Sequence, residues 1–213
     1  MDKFHGASVA IVTPFIDGKL DEQGLIELIE FQIENGTHGI VPCGTTGESA
    51  TIGFDEHKRV IDLTVKTVNG RVPVIAGTGA NNTLEAIELT ESAKESGADA
   101  VLSVVPYYNK PNRSGMIAHY EAVAGETGLP VVVYNVPGRT GQNLGAELIL
   151  ELAAMPGVAG VKEASGDLEQ AIVPADIRLG TETPFAIPVI DLSDETERHV
   201  VIAQGTSDSY KGH

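Results

Sequence analysis

Val158-Ala159-Gly160-Val161-Lys162-Glu163-Ala164 is an apolar run with one ammonium inside it, and it reads as a buried strand. An amine among apolar neighbours loses hydration, which favours its neutral form, and a neutral lysine is the nucleophile that builds a Schiff base on a carbonyl substrate. Lys162 is therefore the first candidate catalytic residue. The alternative is a lysine at the strand end that snorkels to water or pairs with Glu163.

Working outward from this run, similar β-branched stretches begin near Ser8, Gly39, Pro73, Asp99 and Pro130. Strands thus recur about every thirty residues, the length of one strand-helix unit. Between them lie apolar residues at helical spacing: Leu25, Ile26, Leu28, Ile29 and Ile33, then Val60, Ile61, Thr64, Val65 and Val68, then Met116, Ile117, Tyr120, Val123 and Ala124. Stops are expected at Asn35-Gly36, Asn69-Gly70, Gly97, Gly128 and Pro156-Gly157, and a polar cap at Asn81-Asn82-Thr83. Strands alternating with helices imply a parallel sheet, either a closed eightfold barrel or an open doubly wound sheet.

The repeat fails after Gln170, where Pro174, Pro184 and Pro188 interrupt any further helix. Two strand-like runs follow, Phe185 to Leu192 and His199 to Ala203, joined by the charged turn Ser193 to Arg198, and these predict a β-hairpin. The expected division is a unit over residues 1–170 and a β-rich tail over 171–213.

Thirty acidic residues against fourteen basic ones give the 213-residue chain a formal charge of -16, which argues against nucleic acid or an anionic membrane surface as a partner. A composition of 42% hydrophobic and 21% charged residues is that of a soluble globular protein with a sizeable core. The single cysteine, Cys43, excludes an internal disulfide framework, and no Cys/His cluster has zinc-site spacing, so a reducing, cytoplasmic setting is expected. No apolar run approaches the roughly 20 residues that span a bilayer. Ala7 to Phe15 reads as a first strand, since it lacks a small-residue cleavage site.

Three further motifs follow strands: Gly44-Thr45-Thr46-Gly47-Glu48-Ser49, Pro106-Tyr107-Tyr108-Asn109-Lys110-Pro111, and Tyr134-Asn135-Val136-Pro137-Gly138-Arg139-Thr140-Gly141. Together with Val161-Lys162-Glu163-Ala164, the set resembles the dihydrodipicolinate synthase family of class I aldolase-type enzymes, within the N-acetylneuraminate lyase superfamily. The likeness covers residues 1–170. It implies a TIM (β/α)8-type barrel, here truncated to six strand-helix units, whose strand ends converge on one face.

The resemblance also implies roles. Lys162 would condense with pyruvate to an imine, and the derived enamine would attack aspartate semialdehyde. Tyr134 would move protons at the bound substrate, linked through Thr46 to Tyr108 as a relay, which suits a phenol too weak an acid to act alone at neutral pH. Arg139 would hold the semialdehyde carboxylate with its planar fork. Thr45 would bind the pyruvate carboxylate, with Gly44 allowing close backbone approach. A lysine effector site would comprise Ser49, Ala50, His57, Asn81, Glu85 and Tyr107; Phe54 departs from the histidine that lysine-sensitive members carry. His57 otherwise reads as a solvated helix residue. No cofactor or metal is implied, and a homo-oligomer whose interface includes the Tyr107 region is.

Two rival readings accompany this one. N-acetylneuraminate lyases and other 2-keto acid aldolases share the lysine and tyrosine, but Arg139 and the Thr-Thr-Gly-Glu loop favour the synthase. Alternatively the chain is an inactive fragment or fusion, since residues 171–213 match no barrel unit. The stretch from His199 to Thr206 and the terminal Tyr210 to His213 bear a faint likeness to sialidase-type β-propellers.

Overall fold

A computed structural model describes residues 2–167, 169–171, 189–192 and 198–201. Strand β1 (Ser8–Ala10) leads through the short antiparallel pair β2 (Phe15–Ile16) and β3 (Lys19–Leu20) into helix α1 (Glu22–Glu34). Asp17-Gly18 makes the turn, both residues with positive φ (51° and 74°), which is the signature of a two-residue hairpin. The chain continues through β4 (Gly39–Val41), α2 (Phe54–Val68), β5 (Ile75–Gly77), α3 (Thr83–Ser96), β6 (Ala100–Val104), α4 (Arg113–Thr127) and β7 (Val131–Asn135). A one-turn helix α5 (Pro137–Thr140), α6 (Gly145–Ala153) and β8 (Val158–Glu163) complete the repeat.

The helix ends follow from local chemistry. Asp21, Asn82 and Asn112 accept N-terminal backbone N–H groups of α1, α3 and α4. Asn69, Gly97 and Gly128 close α2, α3 and α4 in the left-handed region. The expected stop at Pro156-Gly157 is displaced: α6 ends at Ala153, and Gly157 (φ 85°) instead turns the chain into β8.

Strand order in space equals strand order in sequence. β1 pairs in parallel with β4, Ile40 of β4 bridges to Val74 beside β5, and β5, β6, β7 and β8 form a continuous parallel sheet. A doubly wound sheet would reverse its order at a switch point and carry helices on both faces. Here the helices pack on one face, where Leu25, Ile29, Ile61, Met116, Ile149 and Leu152 meet Ile40, Val101, Val133 and Val161. The other face forms its own cluster of strand residues, Val41, Ile75, Ala100, Leu102, Val132 and Tyr134. Helices outside and side chains inside are the layers of a barrel wall. Each fully buried aliphatic side chain in the outer layer contributes about 1.5–3 kcal/mol.

Between β7 and β8 the register shifts at Val131/Val132, so that Val131 faces Val158 while Val132 faces Gly160 and Ala159 is left over as a bulge. Beyond the repeat, β9 (Val189–Leu192) and β10 (Arg198–Val201) pair antiparallel, from Arg198↔Leu192 to Val201↔Val189. Arg198, counted above in the turn, is thus the first residue of a strand. Pro174, Pro184, Pro188, the turn residues 193–197 and the stretch from 202 onward lie outside the described residues, and with them the comparison with β-propellers.

Candidate active site

Side chains alternate across a strand, so Tyr134 and Lys162 project from the inner face while Asn135 and Glu163 project toward the helices. Tyr134 and Lys162 are direct register partners. The lysine Nζ stands 4.5 Å from the centroid of the tyrosine ring, which is only 6% exposed. Lys162 itself is half-buried at the mouth of the strand. The Glu163 carboxylate accepts hydrogen bonds from Asn135, Ser165 and Gln170 on the other side of the strand.

After β4 the chain turns tightly through Gly44 to Ser49, with Gly47 N donating to Gly44 O (3.1 Å) and Glu48 N to Thr45 O (3.0 Å). Thr13 Oγ1 donates to Gly47 O at 2.7 Å and pins the turn to the first strand-helix unit. Gly44 is buried, whereas Thr45 and Thr46 present their hydroxyls to solvent. Cys43 (φ 52°) and Glu48 (φ 58°) flank the turn in the left-handed region, and Tyr108 (φ 70°) and Lys110 (φ 44°) do the same after β6. Four strained non-glycine residues in two motif loops are what a built site shows.

The tyrosine loop is tied to the start of α3: Asn81 Nδ2 donates to Tyr107 O (3.2 Å), and Asn109 Nδ2 donates to Asn81 O (3.1 Å). Tyr108 is 89% exposed, whereas Tyr134 is 6% exposed, and this chain does not bring the two together. Arg139 lies exposed on α5, where the sequence suggested only a turn, with its N–H bonded to Val136 O at 2.9 Å. Gln142 Nε2 donates to Pro111 O at 2.8 Å and links the arginine loop to the tyrosine loop.

Among the suggested effector residues, Asn81 and Tyr107 are in contact, Ser49 is half-buried, Ala50 is exposed, and exposed Glu85 accepts from Asn82 Nδ2. His57 corrects its alternative reading as a solvated helix residue. It is 4% exposed, with Nε2 at 2.7 Å from Gly77 O, and burial holds its pKa below the usual histidine range. Phe54 lies near the surface beneath Lys58, whose Nζ is 4.7 Å from the ring centroid.

One cluster escaped the sequence reading. Asn135 Nδ2 reaches both oxygens of Glu163 (3.1 and 2.9 Å) and Asn143 Oδ1 (2.8 Å); Gln170 Nε2 reaches Glu163 Oε2 (3.0 Å) and Asn143 Oδ1 (2.9 Å). A polar residue directly after each inner-face residue, Tyr134-Asn135 and Lys162-Glu163, is the signal that could have found it. Among the described residues no group of three or more His, Cys, Asp and Glu side chains could hold a metal ion. No described helix is long and apolar enough to cross a membrane.

The chain is similar to proteins of known family. The 4-hydroxy-tetrahydrodipicolinate synthase of Desulfotalea psychrophila is 66% identical over 170 residues, which are 80% of this chain and 57% of the relative. The chain therefore spans under two thirds of the length of that relative. Among solved structures, the chloride-inhibited dihydrodipicolinate synthase of Acinetobacter baumannii complexed with pyruvate is 49% identical with a TM-score of 0.79, covering 81% of this chain and 60% of that one. The enzyme from Aquifex aeolicus is 43% identical with a TM-score of 0.83, over 88% and 64% of the two chains. That from Cyanidioschyzon merolae, with lysine bound, is 42% identical with a TM-score of 0.78, over 81% and 60%. The profile described as the Dihydrodipicolinate synthetase family runs from residue 3 to residue 180, through every motif loop built above, and the chain belongs to that family.

Proposed function

We propose that this chain carries the pyruvate half-site of a 4-hydroxy-tetrahydrodipicolinate synthase, with Lys162 as the amine that condenses with pyruvate. The observation that carries the reading is the register pair Tyr134–Lys162, an amine over a buried phenol at the open end of two strands. The amine adds to the keto carbon, water leaves, and the imine draws a proton from the pyruvate methyl group to give an enamine. The enamine carbon then attacks the aldehyde of aspartate semialdehyde. Tyr134 serves the proton transfers, Thr45 and Thr46 offer hydroxyls to the pyruvate carboxylate and the proton path, and Arg139 pairs with the carboxylate of the second substrate. The pyruvate complex of the A. baumannii relative supports the first substrate.

The finer architecture belongs to the same reading: residues 1–170 as six units of a (β/α)8 barrel, and 171–213 as a separate β-rich tail. So do a homo-oligomer whose interface includes the Tyr107 region, and a lysine effector near Ser49, Ala50, His57, Asn81, Glu85 and Tyr107. The lysine complex of the C. merolae relative supports the effector. Arg139 argues against a sialic acid lyase.

The deciding experiment is incubation with pyruvate, reduction with borohydride and mapping of the adduct by mass. Lys162 should carry the label. A folded protein that gains no adduct removes the Schiff-base reading.

A further inference from the structure

The cluster around Glu163 sits directly behind the reactive pair. Glu163 is 5% exposed and Asn135 is fully buried. The carboxylate accepts N–H groups at both ends: both oxygens from Asn135 Nδ2, Oε1 from Ser165 N at 2.7 Å, and Oε2 from Gln170 Nε2 at 3.0 Å. Every one of these contacts needs an acceptor at position 163. The orientation of Asn135 is not arbitrary, because its Oδ1 accepts Leu144 N at 3.3 Å and so turns Nδ2 toward the carboxylate. Asn143 closes the ring by accepting from both Asn135 and Gln170.

The connectivity matters more than any single bond. Asn135 follows Tyr134 on β7 and Glu163 follows Lys162 on β8, and the two are register partners just as Tyr134 and Lys162 are. The cluster therefore bolts the last residues of both strands together on the helix side while the reactive pair faces inward. Asn143 and Leu144 belong to the loop after Arg139, and Ser165 and Gln170 to the segment after β8, so β7 and the segment after β8 meet the carboxylate directly and the loop joins them through Asn135 and Gln170.

We propose that Glu163 is a positioning residue, the hub of a buried amide-carboxylate clamp that sets the placement of the Lys162 amine against the Tyr134 phenol. The inference rests on the Schiff-base reading of Lys162 for its consequence in catalysis. Glutamine at position 163 would turn an NH2 toward two donors whichever way it sits, so at least one corner of the clamp opens at nearly constant volume. Small shifts of a reacting amine cost large factors in rate, because a misplacement of about 1 Å is worth up to about a hundredfold.

The test uses the full chain, its Glu163→Gln and Asn135→Ala variants, and Thr90→Val as a control that loses a buried hydroxyl pair outside the clamp, between α3 and the residue that follows β5 (Thr78 Oγ1 to Thr90 Oγ1, 2.9 Å). The readout is the rate of borohydride trapping at Lys162 against pyruvate concentration. Both clamp variants should trap about tenfold or more slowly at saturating pyruvate, with the half-saturating concentration within about twofold of the parent, while Thr90→Val traps at the parental rate. Equal trapping by the parent and Glu163→Gln, or equal slowing by Thr90→Val, overturns the proposal. Acetylation of Lys162 by acetic anhydride, referred to the exposed Lys66, supplies a second measure that needs no pyruvate. It should change about threefold or more in Glu163→Gln. If the parent forms no pyruvate adduct, the Schiff-base reading falls, and an unchanged acetylation ratio then overturns the clamp as well.

Discussion

Tyr134 and Lys162 occupy matched positions on neighbouring parallel strands, with the lysine Nζ 4.5 Å from the centre of the tyrosine ring. The ring walls the amine on one side, and the hydroxyl is what it adds chemically. Tyr134→Phe keeps the wall and removes the proton carrier, so condensation should slow by about 10²-fold or more while the fold is retained. Steady-state rates beside a circular dichroism melt check this; a turnover within about threefold of the parent would show that the hydroxyl carries no proton.

Arg139 is exposed on the one-turn helix α5 and takes no part in the core; its proposed task is to hold the carboxylate of a second substrate. Arg139→Ala should lower condensation with aspartate semialdehyde by about 10²-fold if the contact contributes about 3 kcal/mol. Trapping of the pyruvate imine should proceed at the parental rate. Faster cleavage of N-acetylneuraminate than semialdehyde condensation by the parent would point to the lyase instead.

His119 on α4 predicts an acid-labile fold. It is 4% exposed, its Nδ1 is 2.9 Å from Thr83 Oγ1, and burial lowers its pKa from 6.5 to about 4. Above pH 6.5 folded and unfolded chains both hold it neutral. As pH falls below 6.5 the unfolded chain takes up the proton first, so stability drops, by about 3 kcal/mol in all on reaching pH 4. Buried His57 shifts in the same direction and adds to the loss. Urea unfolding at pH 7 and pH 4.5 should show a smaller acid loss in His119→Gln than in the parent.

Cys43 is 2% exposed, and burial pushes its thiol pKa up, so the thiolate that reacts with disulfide reagents is absent from the folded protein. An aromatic disulfide reagent should leave the native chain unmodified over the time in which the urea-unfolded chain reacts with one equivalent.

Gly47 tolerates no side chain for a steric reason. A Cβ there would stand 3.0 Å from Cys43 N and 3.1 Å from Ile11 O, both backbone atoms that cannot rotate away. Gly47→Ala should cost about 1–3 kcal/mol and shift the thermal midpoint down.

Much of this was legible in the chain. Apolar runs marked the six parallel strands, glycines and asparagines marked the helix ends, and an ammonium in an apolar strand marked Lys162. The β2–β3 hairpin was missed although Asp17-Gly18 is a strong turn signal, because its strands are two residues each and too short to alternate. Helix α5 was missed because Pro137-Gly138 reads as a turn, and the glycine is only a local permission. Burial of His57 depends on Gly77, twenty residues away, accepting its Nε2. The Glu163 clamp was missed for a like reason: its members are 28 and 27 residues apart in the pairs Asn135–Glu163 and Asn143–Gln170, and the polar residue after each inner-face residue gains its partner only from the parallel register.

The leftover Ala159 decides which residues of β8 face the same side as Tyr134. Val158 and Val161 both pack on the helix side although an unbroken strand would send them to opposite faces, and the extra residue between them resets the phase. Laid out as an unbroken strand from Val158 with every residue kept, the chain would turn Lys162 to the helices and Glu163 toward Tyr134, whereas deleting Ala159 would straighten the strand and leave Lys162 facing inward. The bulge therefore fixes which side chain of β8 stands beside Tyr134. The reactive site is written partly in the counting of residues, and a comparison of relatives by residue identity alone would not see it.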